Sequence, residues 1–117
     1  PWCSEYKLTD LPDYDKIAST LNTIGKYITD NNMRVTSHPG PFNVLTSPKE
    51  KVVENCIHDL TVHGETFDLM GLSRTPFNKI NIHIGGAYGD KDMAMKRFCE
   101  NFNRLPKSVQ DRLTVEK

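Results

Sequence analysis

The sequence predicts an α/β fold with a parallel sheet, because helical and strand-like segments alternate along the chain. The predicted order over the 117 residues is α-β-α-β-α-β, with a short extra helix opened by Pro106 before the last strand. A strand, a histidine, a glycine-containing loop and a capped helix follow one another at residues 34–70 and again at 79–104. No linker divides the chain, so we expect residues 1–117 to form a single domain unit.

The first predicted helix begins at Asp13. Apolar side chains then recur at spacings of four, three and four residues, which predicts one buried helix face. Turn-forming residues at 30–32 end the segment. The side chains of this predicted face are Ile17, Leu21, Ile24 and Ile28.

The second predicted helix has the clearest start signal in the chain. Ser47 is placed as the N-cap, Pro48 as the first helical residue and Glu50 as the acidic partner in a capping box. Gly71 predicts the stop, just after Met70. Asp90 can cap a third helix in the same way.

Three short segments have strand character. Met33 to Ser37 is extended in pattern and is stopped by the prolines that follow. Residues 79–84 alternate, are rich in isoleucine and are broken by two glycines. Residues 113–116 form the last predicted strand.

The composition gives no sign of a membrane-spanning protein or of a strongly basic nucleic-acid-binding protein. Fifteen basic and fifteen acidic residues give a net charge of zero, and no apolar run approaches the length of a membrane span. The N-terminus has no initiator methionine and no signal-peptide pattern, so we expect it to be a cut within a longer protein. Cys3, Cys56 and Cys99 are too dispersed for a disulfide framework. We expect Cys56 and Cys99 to be buried free thiols in a reducing, intracellular setting.

A histidine or a carboxylate stands at the end of each predicted strand: His38, His83 and Glu116. Neighbouring ends of parallel strands lie about 5 Å apart, so these side chains can converge on one ion. Two imidazoles and a carboxylate suit Mn, Zn or Fe rather than Ca or Mg. The alternative is that the histidines are hydrogen-bonded structural residues. His58 and His63 are predicted to lie on a solvated helix face.

Two loops carry further candidates. The glycine-rich stretch 85–91 matches no nucleotide-binding motif, yet amides near a helix N-terminus favour anions, so Gly86, Tyr88 and Lys91 are candidates for binding the phosphate of a phosphodiester. A simple tight turn into the third helix is the alternative. Phe42 could stack on a base, but from the sequence we prefer packing against the following helix.

An ordered series of motifs resembles the UV damage endonuclease family over nearly the whole chain. The motifs are Ser37-His38-Pro39-Gly40 with Leu45, Ile82-His83-Ile84-Gly85-Gly86, Tyr88-Gly89-Asp90-Lys91, Arg97-Phe98 with Asn101, and the C-terminal Leu105-Pro106, Val109, Arg112-Leu113 and Val115-Glu116. The resemblance implies a TIM-barrel enzyme that nicks DNA 5′ to UV photoproducts with divalent ions, typically including manganese. Zinc and cobalt are alternatives.

The resemblance assigns roles to particular positions. It implies that His38, His83 and Glu116 are catalytic metal ligands. It places Pro41 and Phe42 where the family has a glutamine and a tyrosine that probe the damaged duplex, so Phe42 keeps the ring without the hydroxyl.

The chain also departs from the family pattern. Near Ser4 and Glu5 a further histidine of the family is missing, and Lys117 stands where the family continues with asparagine. A whole barrel needs ~200 residues or more. The expected fold is therefore a TIM-barrel segment of about three βα units.

Partners and alternatives complete the expectations. Double-stranded DNA with UV lesions is the implied partner, in the nucleus, the nucleoid or a viral replication site, and the isolated segment should not nick DNA by itself. A metal-dependent sugar isomerase or epimerase of the same barrel type is one alternative, and a non-catalytic, self-associating fragment is another. Self-association is expected because the inner sheet face, predicted to carry Val35, Ile80 or Ile82, and Val115, would lack its opposite wall.

Overall fold

The computed structural model describes residues 7–116, so Cys3, the Ser4–Glu5 region and Lys117 lie outside the described residues. Within that range the chain forms four α-helices and two β-strands. In chain order they are α1 (Tyr14–Asp30), α2 (Glu50–Leu69), β1 (Ile80–His83), α3 (Lys91–Phe102), α4 (Lys107–Gln110) and β2 (Leu113–Glu116). Short 3-10 turns occupy Leu8–Asp10 and Pro76–Asn78.

The predicted parallel pairing is confirmed. Strands β1 and β2 pair in parallel, with Ile80 opposite Leu113 and His83 opposite Glu116. Helices α3 and α4 form the connection between them, as in a βα unit. Between residues 7 and 116, no helix is long and apolar enough to cross a membrane.

The first predicted strand is reduced to a single bridge. Of Met33 to Ser37, only Ser37 pairs with β1: its N–H donates to Lys79 O at 3.0 Å and its carbonyl accepts from Asn81 N–H at 2.9 Å. Two residues earlier, the Val35 N–H donates instead to the Asn78 side chain. A side-chain oxygen has replaced the ladder partner, so the strand assignment for this segment is wrong although its edge position is retained.

The core lies between the sheet and the helices. Ile80 and Ile82 on β1 are fully buried against Leu45, Leu60 and Val109. Because side chains alternate along a strand, Asn81 and His83 point to the opposite face.

That opposite face is polar, which corrects the predicted apolar inner face. Ile80 and Ile82 belong to the helix-covered core, while Val115, which pairs with Ile82, stays 47% exposed. Thr114 and Glu116 join the polar face from β2. The expected self-association through exposed apolar groups is therefore not supported.

Two helix predictions also need correction. Helix α2 begins at Glu50 with Lys49 as its N-cap, because Ser47 Oγ accepts from the Lys49 N–H in a local turn and does not cap the helix. On α1 the packed face runs through Gly25, where a Cβ would meet the Met70 backbone, and Ile28, so Ile24 remains 44% exposed.

The remaining end signals agree with the sequence. Asp90 Oδ1 accepts from the Met93 N–H and caps α3. Gly71 has a φ of 71°, the left-handed conformation expected just after the end of α2.

The two thiols differ from each other. Cys56 is buried, and burial raises its pKa to about 12. Cys99 is exposed, so its predicted burial is wrong: the buried face of α3 runs through Ala94 and Asn101, and Cys99 lies off that face.

Candidate metal centre

The structure brings His38, His83 and Glu116 together at one edge of the sheet. His38 follows the Ser37 bridge, and the other two close β1 and β2 in paired register. One potential ligand atom of each residue lies within 4.8 Å of those of the other two. Parallel strands that end together account for this convergence, since their C-terminal ends share one edge.

The carboxylate of Glu116 stands between the two imidazoles. His38 Nε2 lies 2.6 Å from Glu116 Oε1, and His83 Nε2 lies 3.6 Å from the same oxygen. The two rings meet edge to face, with centroids 5.1 Å apart. All three side chains are about half exposed, so the cluster is open to a ligand or a substrate.

Hydrogen bonding explains the electrostatics of the cluster. The hydrogen bond to Glu116 raises the pKa of His38 above its usual value, against a smaller opposing effect of desolvation. In turn, the hydrogen bond from His38 lowers the pKa of Glu116. The pair thus favours an imidazolium beside a carboxylate whenever nothing else binds the two facing atoms.

A backbone carbonyl fixes the orientation of the His38 ring. His38 Nδ1 lies 3.2 Å from Pro39 O, a carbonyl that can only accept, so Nδ1 carries the proton of this hydrogen bond. In the neutral ring Nε2 is then the free lone pair, and it is directed at the cluster. Histidines that ligate metals commonly have such a partner on the other ring nitrogen.

The two histidine-bearing loops are packed against each other by α3. Arg97 Nε donates to Thr46 O at 2.7 Å, and Asn101 Nδ2 donates to Leu45 O at 2.8 Å. Gly85, two residues after His83, has a φ of 92°, and a Cβ there would lie 2.5 Å from Thr46 Oγ1. Arg97 and Asn101 are among the sequence motifs, but the sequence did not predict that these two side chains hold the segment after His38 in place.

Phe42 is 88% exposed, so the preferred interpretation that it packs on the following helix is wrong. The buried Asn43 accounts for this, because its amide donates to Gly40 O and to Asp59 Oδ2 and its N–H donates to Gly40 O. The turn is held in place by Asn43, and the ring of Phe42 therefore points into solvent. Pro41 is exposed as well.

Residues 85–90, in the loop after His83, are exposed. The Tyr88 ring lies beside Gly86 and under the Arg97 guanidinium, whose carbon is 5.8 Å from the ring centroid. Lys91 is exposed at the first position of α3.

The histidines of α2 lie away from this cluster. His63 is partly exposed, 4.0 Å from an Asp59 oxygen. His58 is less solvated than predicted: its Nε2 is buried and has no partner among the described residues, and the residue lines a cavity together with Leu8 and Arg104.

Known proteins share this architecture. The solved structure of SacUVDE superposes with a TM-score of 0.86 at 36% sequence identity, covering all of this chain and 39% of that one. SacUVDE is a TIM-barrel enzyme, so the chain has the fold of a TIM-barrel segment.

Curated relatives are named UV DNA damage endonucleases. The UV DNA damage endonuclease of Bacillus cereus (strain Q1) is 42% identical over 105 residues, covering 89% of this chain and 32% of that protein. The one of Bacillus pumilus (strain SAFR-032) is 42% identical over 93 residues, covering 80% and 28%. The chain therefore spans about a third of the length of the relatives that it matches.

None of these relatives is a sugar isomerase, and the isomerase alternative has no support. The family model described as UV-endonuclease UvdE matches residues 8–117. This match includes the three clustered side chains and both loops beside them. The chain belongs to the UV-endonuclease UvdE family.

Proposed function

We propose that this chain forms part of the metal centre of a UV damage endonuclease, with His38, His83 and Glu116 as ligands of a divalent transition metal ion. The observation that carries the proposal is the convergence of their ligand atoms within 4.8 Å. Two imidazole nitrogens and a carboxylate oxygen fit Mn²⁺, Zn²⁺ or Co²⁺ better than Ca²⁺ or Mg²⁺. Among these we propose manganese.

The three side chains have distinct tasks in this proposal. His38, with Nδ1–H held by Pro39 O, presents the Nε2 lone pair, and His83 presents a second nitrogen to the same space. Glu116 supplies negative charge between them. A bound divalent ion would supply Lewis-acid activation of water and charge stabilisation for phosphodiester hydrolysis.

The exposed loops supply the proposed DNA contacts. Phe42 offers a bare ring for stacking on a base of a lesion-bearing duplex, with Pro41 beside it. Gly86, Tyr88 and Lys91 are proposed to face a backbone phosphate. The substrate is double-stranded DNA with UV photoproducts, nicked on the 5′ side, and the setting is the intracellular compartment that holds the DNA.

A chimera tests this function directly. In the chimera, residues 8–117 replace the matching segment of the Bacillus cereus relative. The chimera is incubated with UV-irradiated supercoiled plasmid and Mn²⁺, and nicked plasmid is detected by gel electrophoresis. We expect nicking by the chimera and its loss with His83→Ala, because one of three local ligands is gone. His63→Ala, on α2, is the matched control and should nick normally.

Three further results decide the matter. A chimera that folds, as judged by circular dichroism, but does not nick would contradict the proposed function. Equal nicking by the His83→Ala chimera would contradict the ligand assignment. We expect no nicking by the 117-residue chain alone, because it spans only about a third of the length of the relatives that it matches.

A further inference from the structure

The polar sheet face extends one layer below the metal cluster. Strand register places Asn81 opposite Thr114, directly before the His83 and Glu116 pair on the same face. All four side chains are at least partly accessible on this face. The Asn81 and Thr114 layer is therefore the floor on which the cluster rests.

A short hydrogen bond fixes the orientation of the Asn81 amide. Thr114 Oγ1 donates to Asn81 Oδ1 at 2.7 Å. Because the oxygen of the amide is engaged with Thr114, its NH₂ group points elsewhere and is available as a donor. The strand register puts Glu116 two residues beyond Thr114 on the same face, within diagonal reach of this NH₂ group, and the Asn81 amide is one of the causes that lower the pKa of Glu116, after the larger one from His38.

We infer that Asn81 is a positioning residue for the metal centre: its amide orients the Glu116 carboxylate, and Thr114 orients the amide. The inference rests on the proposed function, since it assigns Glu116 to a metal ion. A carboxylate held by an outside donor keeps one oxygen directed at the cluster, where Oε1 faces both histidines. Outer partners of this kind typically change metal affinity by about 10- to 100-fold.

A purely structural role makes a different prediction. If the Asn81 and Thr114 pair only joins β1 to β2, its loss lowers the stability of the sheet by a cross-strand pair and leaves metal affinity unchanged. The two roles therefore separate when affinity and unfolding are measured on the same variants.

The experiment is a Co²⁺ titration of the 117-residue chain followed by visible absorption, with thermal unfolding measured without metal. We expect Asn81→Leu, which keeps the volume and removes the donor, to weaken Co²⁺ binding by about tenfold. Thr114→Val should weaken it several-fold, while Thr114→Ser, which keeps the hydroxyl, should bind as the parent does.

Each outcome has a definite meaning. Binding within twofold of the parent by a folded Asn81→Leu variant would overturn the inference alone. If Asn81→Leu does not fold, the Thr114→Val and Thr114→Ser pair decides, and equal affinities overturn it. If the parent binds no Co²⁺, the metal assignment fails and takes this inference with it.

Discussion

Arg112 is the residue whose loss should damage this fold most. It is completely buried just before β2, and its guanidinium donates to four carbonyls and faces one carboxylate. Two of the carbonyls, those of Leu72 and Ser73, lie in the loop after α2 at 2.6 and 3.2 Å. The carboxylate is that of Asp68, 3.0 Å away.

The magnitude follows from these partners. Arg112→Met keeps most of the apolar stem but leaves the two loop carbonyls without their donor, at about 1–3 kcal/mol each. Asp68 keeps its bond to Arg74 at 2.7 Å, so the carboxylate is not left unpaired. We therefore expect a loss of about 2–6 kcal/mol, the sum for the two unsatisfied carbonyls. That is a large part of the ordinary stability of a domain.

The assay is urea unfolding followed by far-UV circular dichroism. Arg104→Met is the matched control, because Arg104 pairs with Glu50 at 2.6 Å on the surface, where an ion pair contributes little to stability. The Arg112 variant should unfold at a midpoint more than about 1 M lower in urea. Similar midpoints for the two variants would refute the assignment of Arg112 as the structural centre of this region.

Three further predictions concern the loops, acid and the thiols. Gly85→Ala should lower the free energy of unfolding by about 1–3 kcal/mol, because Gly85 has a positive φ and a Cβ there would contact Thr46. Gly86→Ala is the control in a thermal melt: Gly86 has room for a Cβ, so this change should alter the free energy of unfolding by less than about 0.5 kcal/mol. Although desolvation opposes the shift, hydrogen bonds from two arginines lower the pKa of Asp68 below its ordinary 3.8. The stabilisation by ionised Asp68 is therefore present above about pH 4 and is lost as pH falls through the lowered pKa. Asp68→Asn should reduce the fall of the urea midpoint in that pH range, and an unchanged fall would count against this role of Asp68. Cys99→Ser should remove a fast-reacting thiol in the native protein, whereas Cys56→Ser should leave the fast phase unaltered; a thiol-reactive dye measures both.

Local signals predicted the elements well where one residue decides the conformation. Asp90 caps α3 and Gly71 ends α2, since a cap and a left-handed turn depend on the residue itself. The Ser47 signal failed because its hydroxyl accepts from the Lys49 N–H in a turn before α2 begins at Glu50. Which N–H group the hydroxyl meets depends on the packing of the loop, which no local pattern specifies.

The convergence of the candidate site could be predicted, and its surroundings could not. Three strand ends with His38, His83 and Glu116 imply one edge once the strands are taken as parallel. The exposed position of Phe42 depends on the amide of Asn43 reaching Asp59 across the loop. The polar face depends on which way β1 faces, and alternation leaves two choices that only tertiary packing resolves.

The central claim is that the three strand-end side chains bind a divalent metal ion. Isothermal titration of Mn²⁺ into the 117-residue chain, into His83→Ala and into the control His63→Ala tests it most directly. We predict saturable binding by the parent and by the control, and an affinity at least about tenfold weaker for His83→Ala. No binding by the folded parent, or equal binding by His83→Ala, would contradict the claim.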